Sequence, residues 1–153
     1  MSLLLHAAFV DSHGWMAIVN RRDQCHEAAS EAYRELAKRS WKFYTSSWTM
    51  YDALSHLKER AKSGGYEAAR ALDELARPPA VIVMPVTKEI ERRAVARFWR
   101  MPDKAWSITS CANMEIMQDA SLQYVLSASA SYREAGYVSL IRLVGAACEA
   151  AVP

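Results

Sequence analysis

The chain has 153 residues, of which 52% are hydrophobic and 24% charged, and its formal net charge is +2. This size fits one globular domain with a hydrophobic core and leaves little room for a second. So small a net charge does not by itself indicate nucleic-acid binding. No apolar run approaches the roughly 20 residues of a membrane span, so we expect no membrane association.

The first third of the chain predicts one strand and two helices. Residues 7–10 are a short apolar run closed by Asp11, which is typical of a strand buried on both faces. We expect Ser12 to cap a short helix over residues 15–19. Residues 26–39 carry apolar side chains at helical spacing and predict an amphipathic helix.

The middle of the chain repeats this alternation. Residues 41–45 are rich in strand-forming side chains, and Ser46 or Ser47 is expected to cap the helix that follows. A further helix is predicted over residues 67–76. The β-branched run at residues 80–85 predicts a strand that is parallel and central in its sheet, because nearly every side chain in it is apolar.

The last third completes the pattern. It predicts a helix from Thr87 to Arg100, a helix opened by Ser107 or Thr109, a strand at 122–126, a short helix at 131–135 and a strand at 137–143. Such alternation indicates a three-layer α/β/α sandwich with a mostly parallel central sheet. We therefore expect a single domain over residues 1–143 and a flexible Ala-rich tail over residues 144–153.

Three cysteines, Cys25, Cys111 and Cys148, are far apart in the chain and form no CxxC pair. This spacing argues against a structural zinc site, and we expect free thiols in a reducing cytoplasm. Cys111 lies in an apolar helical stretch and is expected to be a small buried side chain. No basic residue precedes the first apolar run, which argues against a secretory signal.

Polar residues follow several of the predicted strands, where ligands bind in parallel sheets. Asp11 comes directly after the first strand, and Asp52 lies in the helix after the second. A buried carboxylate needs a partner. A hard cation such as Mg²⁺ or Mn²⁺ is one partner, and a helix N-terminus or an arginine is the alternative.

Four segments resemble the PIN-domain family, and VapC-type toxins in particular. They are Phe9-Val10-Asp11-Ser12-His13-Gly14-Trp15, residues 45–57, residues 102–111 and Tyr132-Arg133-Glu134-Ala135-Gly136-Tyr137. Their order matches the family over roughly residues 7–140. The resemblance implies a PIN-like α/β fold in which about four acidic side chains bind one or two divalent ions and activate water against an RNA phosphodiester.

This sequence departs from the family pattern at two of the four acids. The resemblance places Asp11 at the first acid and Asp52 at the second, which is usually a glutamate. The third and fourth positions fall on Ser110 and Ser129, which are neutral and bind a dication weakly. Asp103, in the loop before the third motif, is a substitute metal ligand if the alignment shifts by a few residues.

Two hypotheses about function follow from the resemblance. The first is a PIN-like protein with weakened or lost metal-dependent nuclease activity, which acts by binding RNA or a protein and needs no cofactor. The alternative is an active Mg²⁺- or Mn²⁺-dependent endoribonuclease toxin that is held in check by a small antitoxin-like protein. Ser110 and Ser129 favour the first, whereas the family as a whole favours the second.

Two surfaces are candidate contacts for these partners. Arg93, Arg97 and Arg100 share one helical face and suit an RNA backbone, or form a solvated surface balanced by Glu89 and Glu91. Five aromatic residues around the second strand are either core or the face of a homodimer, as such helices often are in this family: Tyr33, Trp41, Tyr44, Trp48 and Tyr51.

Overall fold

A computed structural model describes residues 4–153 of the chain. Residues 1–3, with which the predicted domain begins, lie outside the described residues. Strands β1 to β5 form one parallel sheet in the order β3-β2-β1-β4-β5; their bounds are Leu4–Val10, Lys42–Ser46, Val81–Met84, Leu122–Leu126 and Val138–Ser139. A separate antiparallel hairpin pairs β6 (Ile141–Val144) with β7 (Ala147–Ala150).

Helices cover both faces of the sheet, as the alternation of elements predicts. They are α1 (Ser12–Val19), α2 (His26–Lys38), α3 (Ser47–Glu59), α4 (Gly65–Leu75), α5 (Lys88–Arg100), α6 (Ile108–Asp119) and α7 (Ala130–Glu134). One core cluster lies between the sheet and α1 to α4, and includes Trp15, Leu36 and Leu72. A second lies under α5, α6 and α7, and includes Phe9 and Met114. The three-layer α/β/α prediction is therefore confirmed.

Side-chain caps set where the helices begin. Ser46 accepts a hydrogen bond from the third amide of α3, and Thr87 and Ser107 do the same for α5 and α6. Each cap satisfies an amide that has no partner within the helix. The prediction for Thr87 is confirmed, and Ser107 rather than Thr109 opens α6. The prediction that Ser12 caps α1 is wrong, because Asp11 is the cap.

The position predicted for the third strand is also wrong. β3 is parallel, but it pairs only with β2 and forms an edge of the sheet. Val81 is buried, whereas Val83 is 39% exposed. An apolar run indicates that the side chains of a strand are buried on average. It does not indicate the position of the strand in the sheet, because that position depends on pairing with residues far away in the chain. The central strand is β1, whose residues Ala7 to Val10 are all buried.

The C-terminal segment contains more regular structure than the sequence predicts, and the flexibility expected of residues 144–153 stays a prediction. The strand predicted over residues 137–143 divides into β5 and β6, and the tail contains β7, which pairs with β6. Gly145, at φ 62°, makes the turn between them. Alanine is uncommon in strands, so the Ala-rich composition of this segment does not predict β7.

Two of the three cysteines are joined. Cys25, just before α2, forms a disulfide with Cys148 in β7, which corrects the expectation of three free thiols. The two residues are 123 positions apart, and spacing alone does not pair such distant cysteines. Cys111 is free and fully buried, as predicted, and burial raises the pKa of its thiol. Among the described helices, none has the length and apolarity needed to cross a membrane.

Candidate functional site at the carboxyl ends of the strands

The carboxyl ends of three neighbouring strands bring polar residues to one edge of the sheet. β1 ends before Asp11, β2 ends at Ser46, and β4 ends before Ser127. All three strands run parallel, with β1 between the other two, so these residues lie at the same edge. All three residues are buried. This edge is where ligands bind in open parallel sheets.

Asp11 is 6% exposed and both of its carboxylate oxygens are engaged. One oxygen accepts from the Gly14 amide at 2.8 Å and thereby caps α1, and the other accepts from the Ser127 hydroxyl at 2.7 Å. Burial raises the pKa of the Asp11 carboxyl, and these two hydrogen bonds oppose the increase. The helix-cap alternative considered from the sequence is therefore realised in the structure.

Gly14 allows α1 to pack directly against the end of β4. A Cβ atom at this position would lie 2.1 Å from the Leu126 carbonyl oxygen and 3.0 Å from Cγ1 of Val10. No side chain fits this space. The close approach keeps the first turn of α1, and with it the Asp11 cap, against the strand ends.

A second polar group, centred on Asn113 of α6, fills the space beside β2. The Ser46 hydroxyl donates to the Asn113 amide oxygen at 2.7 Å. The Asn113 amide nitrogen donates to the hydroxyls of Thr49 at 2.9 Å and Tyr132 at 3.0 Å. All four residues are at most 1% exposed. We call Ser46, Thr49, Asn113 and Tyr132 the Asn113 network; it is neutral and internally hydrogen-bonded.

Tyr132 lies between the rest of this network and Ser110, the residue predicted to stand at the third position of the family pattern. The Tyr132 hydroxyl lies near Ser110, whose own hydroxyl accepts from the Ser107 hydroxyl at 3.0 Å. Burial, followed by the nearby charge of Asp11, raises the pKa of the Tyr132 hydroxyl well above its ordinary value. Tyr132 is therefore a neutral phenol, and Ser110 faces a neutral partner.

The other predicted site residues lie around this edge in different environments. Ser129 caps α7 by accepting from the Ser131 amide at 3.3 Å. Asp52 is exposed on α3, and Asp103 is exposed in the loop between α5 and α6. Neither aspartate has a hydrogen bond or an ion pair among the contacts of residues 4–153. Their role as metal ligands stays a prediction, as does that of Asp11.

The acidic residues of α6 are engaged in ion pairs with α5. Glu115 is buried and forms an ion pair with Arg97 of α5, and it also lies 3.6 Å from Arg93. Asp119 pairs with Arg93, and this contact lowers the pKa of the Asp119 carboxyl. Both acids therefore join α6 to α5.

The same contacts change the basic face expected of α5. Arg93 and Arg97 are held by acids of α6, so Arg100 alone of the three is left without an ion pair among the described residues. Trp106 is buried as a packing residue, whereas Trp99 is 74% exposed. The face is thus largely neutralised, but chiefly by acids of α6 and not by Glu89 and Glu91, the acids considered from the sequence.

The aromatic group around β2 is mostly core. Tyr33 stacks on Phe43 with ring centroids 4.2 Å apart, and Trp41 is buried against Tyr124. Tyr51 is 66% exposed. The homodimer expected from these aromatics stays a prediction.

Sequence reasoning missed Asn113, Thr49 and Tyr132 as a connected group. The available signal was Asn113 itself, the single amide within the apolar run from Cys111 to Met117. A buried amide requires hydrogen-bond partners. The sequence did not show which residues supply them, because two of the partners lie 64 and 67 positions away.

Comparison with known proteins identifies the fold. No family model matches the sequence, and no curated protein matches it. The solved structure of Mycobacterium tuberculosis VapC20, described as a Sarcin-Ricin loop cleaving toxin, matches with a TM-score of 0.75 and 22% identity, over 86% of this chain and 96% of VapC20. The chain has a PIN-like fold.

Two more distant structures agree with this fold. VapBC2 from Rickettsia felis, bound to a DNA fragment from their promoter, matches with a TM-score of 0.58 and 9% identity, over 87% of this chain and 96% of that chain. A Pyrobaculum aerophilum protein matches with a TM-score of 0.54 and 15% identity, over 88% of this chain and 85% of that one. At these identities the likeness establishes the PIN-like architecture alone.

Proposed function

We propose that this chain is a PIN-like protein in which metal-dependent RNA cleavage is weakened or lost, and that it acts by binding another macromolecule. The observation that carries the proposal is the composition of the strand-end site. Asp11 is its buried carboxylate, and both of its oxygens already accept hydrogen bonds. Around it, Ser110, Ser127 and Ser129 offer neutral hydroxyls.

This donor set fits a hard dication poorly. Mg²⁺ and Mn²⁺ favour charged oxygen ligands, and a hydroxyl supplies no charge to offset dehydration of the ion. Binding at Asp11 would also compete with the cap of α1 and with the Ser127 hydroxyl. Asp52 is exposed and one carboxylate adds little. We therefore derive no catalytic step through a metal at this site.

The alternative function, an active Mg²⁺- or Mn²⁺-dependent endoribonuclease toxin, has one specific support. VapC20, the match with a TM-score of 0.75, is itself described as a Sarcin-Ricin loop cleaving toxin. In that case Asp11, Asp52 and Asp103 would supply the carboxylates. The neutral Asn113 network beside them favours the first proposal.

A protein is the partner that the surface favours over RNA. Arg93 and Arg97 are occupied by Glu115 and Asp119, so the face predicted to grip a phosphate backbone is largely neutralised. The match to VapBC2 supports a small antitoxin-like protein as the partner class. An interaction of this kind does not require a working nuclease site.

The proposal is tested by an RNA-cleavage assay with Mg²⁺ or Mn²⁺, in which the wild type is compared with Asp11→Asn. Asparagine keeps the helix cap and removes the charge. We expect both proteins to cleave at the same background rate. Metal-dependent cleavage by the wild type that Asp11→Asn lacks would establish the alternative, an active endoribonuclease.

A further inference from the structure

A cluster of three different metal-ligand side chains lies outside the strand-end site. It consists of His13 in α1, with Asp23 and Cys25 in the segment before α2. One ligand atom from each lies within 4.8 Å of the other two, and no other such group of three occurs among the described residues. In tetrahedral zinc sites the ligand atoms lie roughly 3.2–3.8 Å apart, given metal–ligand bonds of about 2.0–2.3 Å. Closing this cluster onto an ion therefore requires shifts of about 1 Å.

A fourth ligand is held next to the cluster. Cys148 of β7 is joined to Cys25 by the disulfide, so its sulfur is bonded to one of the three ligand atoms, although it lies more than 4.8 Å from at least one of the other two. Binding a common ion therefore also requires the Cys148 side chain to turn toward the cluster once the bond is reduced. In the disulfide neither sulfur is available to a metal. Once the bond is reduced, both sulfurs become thiols, and the set becomes one imidazole, one carboxylate and two thiolates. This mixture of nitrogen, oxygen and sulfur is typical of zinc.

The local hydrogen bonds arrange these side chains toward one another. The Cys25 amide donates to Asp23 Oδ1 at 2.8 Å, which fixes the carboxylate over the cysteine. The described contacts leave the other Asp23 oxygen without a partner. The Ala128 amide donates to His13 Nδ1 at 3.3 Å, a long bond that the ring can exchange for a metal. His13, Asp23 and Cys148 are half-buried, so the cluster is reachable from solvent.

The two cysteines are kept together by more than the disulfide. The Gln24 side chain donates to the Ala146 carbonyl at 2.5 Å, at the turn of the β6–β7 hairpin. The Arg39 guanidinium donates to the Pro153 carbonyl at 2.6 Å. Cys148 itself packs against the core cluster beneath α2. Reduction therefore leaves Cys148 close to Cys25, as a dithiol rather than two separate thiols.

We propose that reduction of the Cys25–Cys148 disulfide creates a zinc site formed by His13, Asp23, Cys25 and Cys148. A dithiol reductant supplies two electrons and two protons; the S–S bond breaks, two thiols form, and the reductant becomes a disulfide. Zn²⁺ then binds as both thiols release their protons to solvent. The ion takes over the link between α2 and the hairpin that the disulfide provides in the oxidised protein. The ligands come from separate parts of the chain, so the absence of a CxxC pair does not exclude the site.

The test is a Co²⁺ titration of the full chain, because tetrahedral thiolate-bound Co²⁺ has intense visible and charge-transfer absorption. Oxidised protein and protein reduced with a phosphine are titrated side by side. We expect saturable tetrahedral absorption in the reduced protein only, with one Co²⁺ per chain, which Zn²⁺ abolishes by displacement. Asp23→Asn should weaken Co²⁺ binding by at least about tenfold, since even outer-shell changes at metal sites cost that much.

Matched controls separate a ligand role from a structural one. Asp73→Asn and His56→Asn, exposed residues of other helices, should bind Co²⁺ like the wild type. Cys148→Ser should lose most of the charge-transfer absorption. If Cys148→Ser does not fold, the comparison of oxidised with reduced protein and the Asp23→Asn variant still test the proposal. Two results would overturn the proposal. One is a reduced protein whose bound Co²⁺ has only an octahedral spectrum, and the other is an Asp23→Asn variant that binds Co²⁺ as tightly as the wild type. The RNA-cleavage test probes other residues, so either proposal can fail alone.

Discussion

Replacing Asn113 with alanine should destabilise the protein by about 3 kcal/mol. The change removes the hydrogen-bond partner of three buried hydroxyls, those of Ser46, Thr49 and Tyr132, and each such bond contributes about 1 kcal/mol. Ser46 and Thr49 keep each other as partners at 2.9 Å, whereas the Tyr132 hydroxyl has no other hydrogen bond among the described residues. The larger penalty of an unpaired buried group therefore applies to Tyr132 alone.

The assay is urea unfolding, followed by tryptophan fluorescence, for Asn113→Ala and a matched control. Gln118→Ala lies on the same helix but is exposed and loses one side-chain bond to Arg97, at 3.1 Å. We expect the control to change the free energy of unfolding by less than about 0.5 kcal/mol. An Asn113→Ala loss below about 1 kcal/mol would refute the argument, because the three hydroxyls would then not depend on Asn113.

Three further changes test other parts of the account. Gly14→Ala should cost about 3 kcal/mol, because its Cβ would lie 2.1 Å from the Leu126 carbonyl oxygen and push α1 off the sheet. Glu115→Ala should cost about 3 kcal/mol, since it leaves the largely buried Arg97 without its counter-ion. Asp11→Asn should gain stability relative to the wild type as pH rises above the ordinary titration range of an aspartate. Burial raises the pKa of Asp11, so the native wild type holds its proton longer than the unfolded chain does and loses stability over that rise.

Urea unfolding measures all three, and each has its own control. Gly136→Ala, where nothing lies within 4 Å of the added Cβ, should cost only about 1 kcal/mol for its positive φ. Asp119→Ala breaks an exposed ion pair and should cost at most about 1 kcal/mol. For Asp11→Asn, the wild type unfolded over the same pH range is the reference. The reasoning would be contradicted if Gly14→Ala or Glu115→Ala were no less stable than its control. It would also be contradicted if the difference in unfolding free energy between Asp11→Asn and the wild type did not change with pH.

Local patterns in the sequence were sufficient for the elements and their order. Apolar runs and helical spacing identify β1 to β4 and the helices between them, and Thr87 is a cap that can be read directly. These features depend on residues within a few positions of one another. The place of β3 at the sheet edge depends on pairing with residues 43–46, nearly 40 positions away, and local periodicity carries no such information.

The strand-end site was only partly accessible for the same reason. Asp11 could be chosen because a carboxylate directly after a buried strand is costly, and the structure buries it and engages both oxygens. The Asn113 network could not be predicted from the sequence, because its four residues come from four separate elements of the chain. The disulfide is a similar case. The Ala-rich sequence of the hairpin that carries Cys148 does not predict a strand, so the position of Cys148 beside Cys25 could not be predicted.

Calorimetric titration of Mn²⁺ into the wild type and into the double variant Ser110→Asp/Ser129→Asp tests the central claim most directly. The claim is that two neutral residues at acidic positions of the family pattern abolish tight metal binding. We predict no saturable binding by the wild type up to millimolar Mn²⁺, and saturable binding by the double variant, because the restored carboxylates supply charged oxygens. Saturable binding by the wild type, lost in Asp11→Asn, would contradict the claim and show that the acidic site still works.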